Sequence, residues 1–207
     1  MQFLQVLSLV ASASAFVASD PLEKRADIQY NDSFDDLATT IVLPQLFPVG
    51  LYNGLSYGGV VVLRPIDGVA SVLPHSPPQH GGAAGPLDLL YLGDLTLNTF
   101  ATLTRGNTVK SFDLQDFYWG FGTDTGTTFG LAQPGTIYVV GYTVSGQELT
   151  TTFSYVPDST FNARLTFAQL PAGWVDLQNV TFAVANSEPI SERTYIALDN
   201  VRHINHV

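Results

Sequence analysis

After residue 26, apolar and polar residues alternate with period two along most of the chain, and no segment sustains a helical period for three turns. Runs of this kind, bounded by Gly, Pro, Asn, Asp and Ser, predict strands at 27–37, 59–63, 69–73, 87–92, 99–103, 109–119, 136–144, 147–156, 161–167, 179–185 and 194–203. The clearest unit runs from Ile137 to Tyr155, where two β-rich runs flank Ser145-Gly146 and predict a hairpin. The stretch 74–86 is rich in Pro and Gly. Pro lacks the ladder donor, so this stretch is read as a long surface loop and not as a strand interior. About ten strands predict an all-β fold, a two-sheet antiparallel β-sandwich of jelly-roll type. In the final run Ile196 and Leu198 share a face and Val201 falls out of phase, so burial of all three requires a bulge at Asp199-Asn200.

The first residues follow a different pattern. An apolar stretch, Phe3 to Val10, precedes the small residues Ala11 to Ala15, as in a secretory signal peptide ending by residue 18. Residues 19–25 then read as a short pro-segment ending in the dibasic pair Lys24-Arg25, a site for Kex2-type processing proteases. The remaining 26–207 form a single domain, expected to be extracellular and a monomer. Removing Lys24 and Arg25 together with Asp20 and Glu23 leaves the net charge at −10. Asn31-Asp32-Ser33 and Asn179-Val180-Thr181 are glycosylation acceptors, which predicts both asparagines at the surface. No later apolar run reaches the ~20 residues of a membrane-spanning helix.

Composition narrows the chemistry. The chain has 207 residues, 45% hydrophobic and 12% aromatic, which is too apolar for a disordered polymer. It contains no cysteine, which excludes disulfides, thiolate zinc sites and thiol nucleophiles. A net charge of −10 argues against binding nucleic acid through phosphates.

Five short motifs follow one another along the chain: Phe34-Asp35-Asp36-Leu37, Gly54-Leu55-Ser56-Tyr57, Phe112-Asp113-Leu114, Val139-Val140-Gly141-Tyr142 and Leu198-Asp199-Asn200-Val201. In that order they resemble a group of fungal secreted jelly-roll proteins, similar in architecture to galactose-binding-like carbohydrate-binding modules. The resemblance implies that the first and last strands are neighbours sharing a structural calcium, with Asp35 or Asp36 and Asp199 as its ligands. Calcium tolerates irregular oxygen cages of this type. The alternative is that Asp35 and Asp36 cap a turn while Asp199 accepts backbone N–H bonds at the bulge.

Gly54-Leu55-Ser56-Tyr57-Gly58 matches the G-x-S-x-G nucleophile elbow, but a turn precedes it and a strand follows it, so the match reads as accidental. Glycoside hydrolysis needs two facing carboxylates, and no recognisable pair is present. His75 and His80 fall in the Pro/Gly loop, and His203 and His206 in the tail. All four are expected to be solvated. Aromatic rings supply sugar-stacking platforms as well as cores. Trp119, Trp174, Tyr52, Tyr57 and Tyr118 are therefore the candidate ligand-binding residues. The leading expectation is a secreted, non-catalytic binding protein attaching to cell-wall polysaccharide. The alternatives are a structural or host-interacting secreted protein without a sugar site and, last, a hydrolase.

Overall fold

The computed structural model describes residues 26–38, 47–65, 70–85, 87–123, 130–185 and 194–207. Processing residues Lys24 and Arg25 lie outside them. The described strands are β1 (Asp27–Asp32), β2 (Phe47–Tyr52), β3 (Leu55–Leu63), β4 (Val72–Leu73), β5 (His80–Ala84), β6 (Asp88–Leu92), β7 (Leu95–Arg105), β8 (Ser111–Thr123), β9 (Leu131–Ala132), β10 (Gly135–Thr143), β11 (Glu148–Tyr155), β12 (Ala163–Arg164), β13 (Thr166–Gln169), β14 (Leu177–Ala185) and β15 (Thr194–His206). The fold is all-β, an antiparallel two-sheet sandwich of jelly-roll type. One short pair, β4 with β12, is parallel.

Hydrogen bonding follows one path, β11-β10-β14-β7-β3-β5-β15-β8-β13, which folds back on itself. The first layer holds β11, β10, β14 and β7, with β6 on the outer edge of β7. The second holds β5, β15 and β8, with β1 alongside β15 and β13 alongside β8. β3 turns the corner between them. Its first half pairs with β7 through Leu55–Gly58, and its second half pairs with β5 through Val61–Leu63. Gly59 lies at that corner with φ +76, and a Cβ there would stand 2.6 Å from the Phe100 carbonyl oxygen. Only glycine fits that backbone conformation and that close approach.

Period-two alternation fills the space between the layers. Phe117, Trp119 and Phe121 from β8 meet Val180, Phe182 and Val184 from β14 in one continuous core. The aromatic rings pack edge to face, with Phe117 and Phe182 centroids 5.2 Å apart.

Several expected boundaries move. The first strand ends at Asp32. Phe34 adopts φ 64 and Leu37 donates to the Phe34 carbonyl at 3.1 Å, so residues 34–37 form a turn. The 74–86 stretch divides. Residues 74–79 are loop, but His80–Ala84 form β5, an interior strand between β3 and β15. Its glycines are required by packing and not by flexibility. A Cβ on Gly81 would meet Val60 at 2.9 Å, and one on Gly82 would meet Leu63 at 2.2 Å. The predicted bulge is present. The β15–β8 register shifts between Asp199 and Arg202, Asn200 takes φ 47, and Ile196, Leu198 and Val201 are all buried.

Candidate functional site

The outer face of the first layer carries a polar groove. Alternation that sends Leu103, Val180 and Phe182 inward sends Thr102, Thr104, Asn179 and Thr181 outward. β10 adds Tyr142, the residues after β7 add Gly106 and Asn107 beside Arg105, and β6 contributes Asp88 as a rim. The groove has a volume of about 860 Å³. Register sets its floor, because Asn179 stands opposite Thr104 of β7 on one side and Tyr142 of β10 on the other. Asn179 Nδ2 donates to Thr104 Oγ1 at 3.2 Å, and Thr181 Oγ1 donates to Asn179 Oδ1 at 3.4 Å. Arg105 donates through Nη1 to the carbonyls of Val109 and Lys110, which holds its guanidinium at the rim. Burial, and then the neighbouring Glu148 carboxylate, pushes the Tyr142 hydroxyl pKa up, so it stays protonated and able to donate. The floor is thus a ladder of hydroxyls and an amide with one aromatic ring beside it. That composition suits a polyhydroxylated ligand.

The aromatic residues singled out from the sequence lie elsewhere. Trp119 is 0% exposed, Tyr57 2% and Trp174 5%, so the core encloses all three and no surface ligand can stack on them. Sequence alternation could not separate a buried aromatic face from an exposed one. Tyr118 is half-buried, stacked against His75 and tilted against Phe167. Tyr52 donates to Asp36 Oδ1 at 2.5 Å. None of the five lines the groove. Tyr142, which does, was passed over because it sits inside an ordinary strand run.

The carboxylates of the expected calcium set separate. Asp36 is turned to Tyr52. Asp35 Oδ1 accepts from the Gln79 amide at 3.4 Å. Asp199, fully buried, accepts from the Ser76 amide at 2.9 Å and the Asn200 amide at 2.8 Å. Burial is the main reason its pKa is raised to about 7, and the Asp35 charge adds to that. Of the two alternative pairings, Asp35 with Asp199 is the one in which the carboxylates feel each other, while Asp36 is engaged by Tyr52. Among the described residues, the one group of three metal-type side chains is Asp113, Asp176 and His206.

The terminal histidines are not solvated. His203 is 0% exposed and His206 6%. His203 Nε2 lies 3.1 Å from Asp32 Oδ2, and its Nδ1 lies 2.9 Å from Asn205 Oδ1. Asn205 Nδ2 donates to the Asn53 carbonyl at 2.8 Å, which leaves its Oδ1 facing His203 Nδ1. Asp32, also 0% exposed, accepts from Tyr57 and, at 2.7 Å, from Asn53. His206 bridges Asp27 at 2.6 Å and Asp113 at 2.8 Å. β1 is thereby tied to β15 at both ends. The signal for this was present in the sequence, since two histidines and two early aspartates sit in the terminal strands, but partners 171 and 179 residues apart have no local pattern. His80 is buried too, and neither ring nitrogen has a hydrogen-bond partner. Burial lowers its pKa to about 4. His75 alone of the four is exposed. Ser56 lies within β3, on a strand and not at a strand-to-helix turn. Asn31 is exposed on β1, and Asn179 lies on the groove floor.

No family model matches the chain, and no curated protein matches it. Among solved structures it is similar to the arabinose-bound α-L-arabinofuranosidase MgGH51, at 15% identity and a TM-score of 0.44, over 87% of this chain and 26% of that one. It is also similar to the enzymatically active domain of tailspike protein 4 of bacteriophage CBA120, at 15% identity and a TM-score of 0.31, over 74% of this chain and 19% of that one. The chain therefore spans less than a third of either protein.

Proposed function

We propose that the protein is a secreted, non-catalytic module that binds neutral polysaccharide in the groove above β7 and β14. The observation that carries this reading is the floor itself, where Thr102, Thr104, Asn179 and Thr181 present donors and acceptors in register beside the Tyr142 ring. Sugar rings pack an apolar C–H face on an aromatic ring and bond through hydroxyls to side chains of this kind. Among the described lining residues only Asp88 carries a carboxylate, which supports binding over two-carboxylate hydrolysis. The signal-peptide pattern of residues 1–18 supports secretion.

Affinity electrophoresis against soluble arabinan, xylan, β-glucan and galactan tests the reading. Wild-type protein is expected to be retarded by at least one of them, and Tyr142→Ala is expected to abolish that retardation while its thermal midpoint stays within a few degrees. Unglycosylated wild-type protein made in bacteria that migrates freely through the whole panel overturns the reading. Calcium enters the proposal as a structural ion held between Asp35 and Asp199. An unchanged thermal midpoint between millimolar calcium and EDTA removes it.

A second reading rests on a different observation. Leu87, Leu89 and Tyr91 alternate along β6 and its approach and are 53%, 49% and 69% exposed. An apolar strip on a strand at the border of a sheet suits a protein partner, as a structural or host-interacting protein would require. Wall attachment lost in Leu87→Asp, with soluble polysaccharide binding intact, favours that reading.

A further inference from the structure

We propose that N-glycosylation at Asn179 occupies the groove and excludes free polysaccharide, so that the modification site and the binding site are one. The inference rests on the groove being the binding site, but its structural part does not. Asn179-Val180-Thr181 is an acceptor sequence in the middle of β14, a strand paired on both sides. Glycan transfer acts on the extended nascent chain, before β7 and β10 close around it. The Asn179 Nδ2 loses one hydrogen as a proton and bonds to C1 of the first sugar, while the lipid-linked diphosphate that carried the glycan leaves.

Once the chain folds, the position of that new bond is fixed. Nδ2 stands 3.2 Å from Thr104 Oγ1 on the groove floor. Asn179 stands opposite Thr104 of β7 on one side and Tyr142 of β10 on the other. The first sugar can leave the floor only between these two side chains, through the same space a free ligand would need. The groove, about 860 Å³, is at the upper end of ordinary ligand pockets, roughly 300–1,000 Å³. Asn31 is the internal contrast. It is exposed on β1, in the second layer, and a glycan there projects into solvent.

The test uses the full chain secreted from a glycosylating eukaryotic host and the same chain made in bacteria, which is unmodified. Mass spectrometry measures occupancy at Asn179. Hydroxyl-radical footprinting measures access to Tyr142, and affinity electrophoresis uses the same polysaccharide panel. The expected result is an occupied Asn179, a Tyr142 several-fold less oxidised than in the bacterial protein, and polysaccharide binding at least about tenfold weaker, a difference of 1.4 kcal/mol. Trimming the glycan to a single sugar should restore part of both readouts, and Asn31→Gln should change neither. An unmodified Asn179 in the secreted protein overturns the proposal. So does an occupied Asn179 with unchanged Tyr142 oxidation and unchanged binding. If neither form binds polysaccharide while glycosylation still shields Tyr142, the groove is filled as proposed and the binding reading is what fails.

Discussion

Asp32 accepts from two side-chain donors, Tyr57 and Asn53, at the junction of β1, β3 and β15, with His203 Nε2 3.1 Å away. Both members of the Asp32–His203 pair are fully buried. Removing the carboxylate leaves the buried Tyr57 and half-buried Asn53 donors without an acceptor, at about 1–3 kcal/mol each. Asp32→Ala is therefore expected to lower the thermal midpoint by roughly 10 °C, which scanning calorimetry would measure. A drop under a few degrees would mean that water replaces the carboxylate. His80 makes a second prediction, of pH dependence. The folded chain holds it neutral down to about pH 4, whereas an unfolded histidine takes up its proton near pH 6.5. Its stabilisation is fully present above 6.5 and is lost as pH falls from there towards 4, by about 3 kcal/mol. Asp199, with its pKa raised, acts in the opposite sense over the same window. The His80 contribution therefore appears in the difference between wild type and His80→Leu: as the pH is lowered from 6.5 towards 4, the difference in urea midpoint should shift steadily in favour of the variant, which lacks this loss. Parallel curves would contradict the assignment.

At the level of elements, two local features follow directly from the sequence. The β10–β11 hairpin follows from two alternating runs and Ser145-Gly146, and the Asp199-Asn200 bulge follows from three apolar residues that cannot otherwise share a face. The part of the groove built on β7 and β14 needed more than alternation. Threonines on a strand signal an exposed face, but not that two such faces lie in register as one floor. β5 was missed for the opposite reason. Its Gly81-Gly82 looks like a breaker from the sequence, and its role as the slot for Val60 and Leu63 exists only once β3 has turned the corner. That corner can be tested. Gly146 and Gly59 both take positive φ, but nothing lies within 4 Å of a Cβ on Gly146, while one on Gly59 strikes the Phe100 carbonyl. Gly146→Ala should cost about 1 kcal/mol from backbone strain alone. Gly59→Ala should cost about 2 kcal/mol or more by urea denaturation, because a backbone carbonyl cannot rotate aside. Equal costs would mean that the corner is more pliable than its geometry.

The whole molecule adds a field to the groove. A net charge of −10 surrounds a floor of hydroxyls, an amide and one aromatic, with Arg105 tied at the rim to two backbone carbonyls. A chain of that sign repels polyanions at a distance and leaves neutral polymers unaffected. Neither kind of polymer should therefore show retention that depends on salt. Retention by a neutral polysaccharide should be unchanged between ~0.05 M and ~0.5 M NaCl, because its contacts are short-range hydrogen bonds and ring packing that screening does not reach. Polygalacturonate should fail to bind at the lower salt, since added ions only weaken a repulsion and supply no attraction. Affinity electrophoresis at the two salt concentrations would measure both. Strong binding of the polyanion at low salt, lost at high salt, would place Arg105 and Lys110 at the centre of an electrostatic site. The threonine ladder would then be scaffolding and not the surface that reads the ligand.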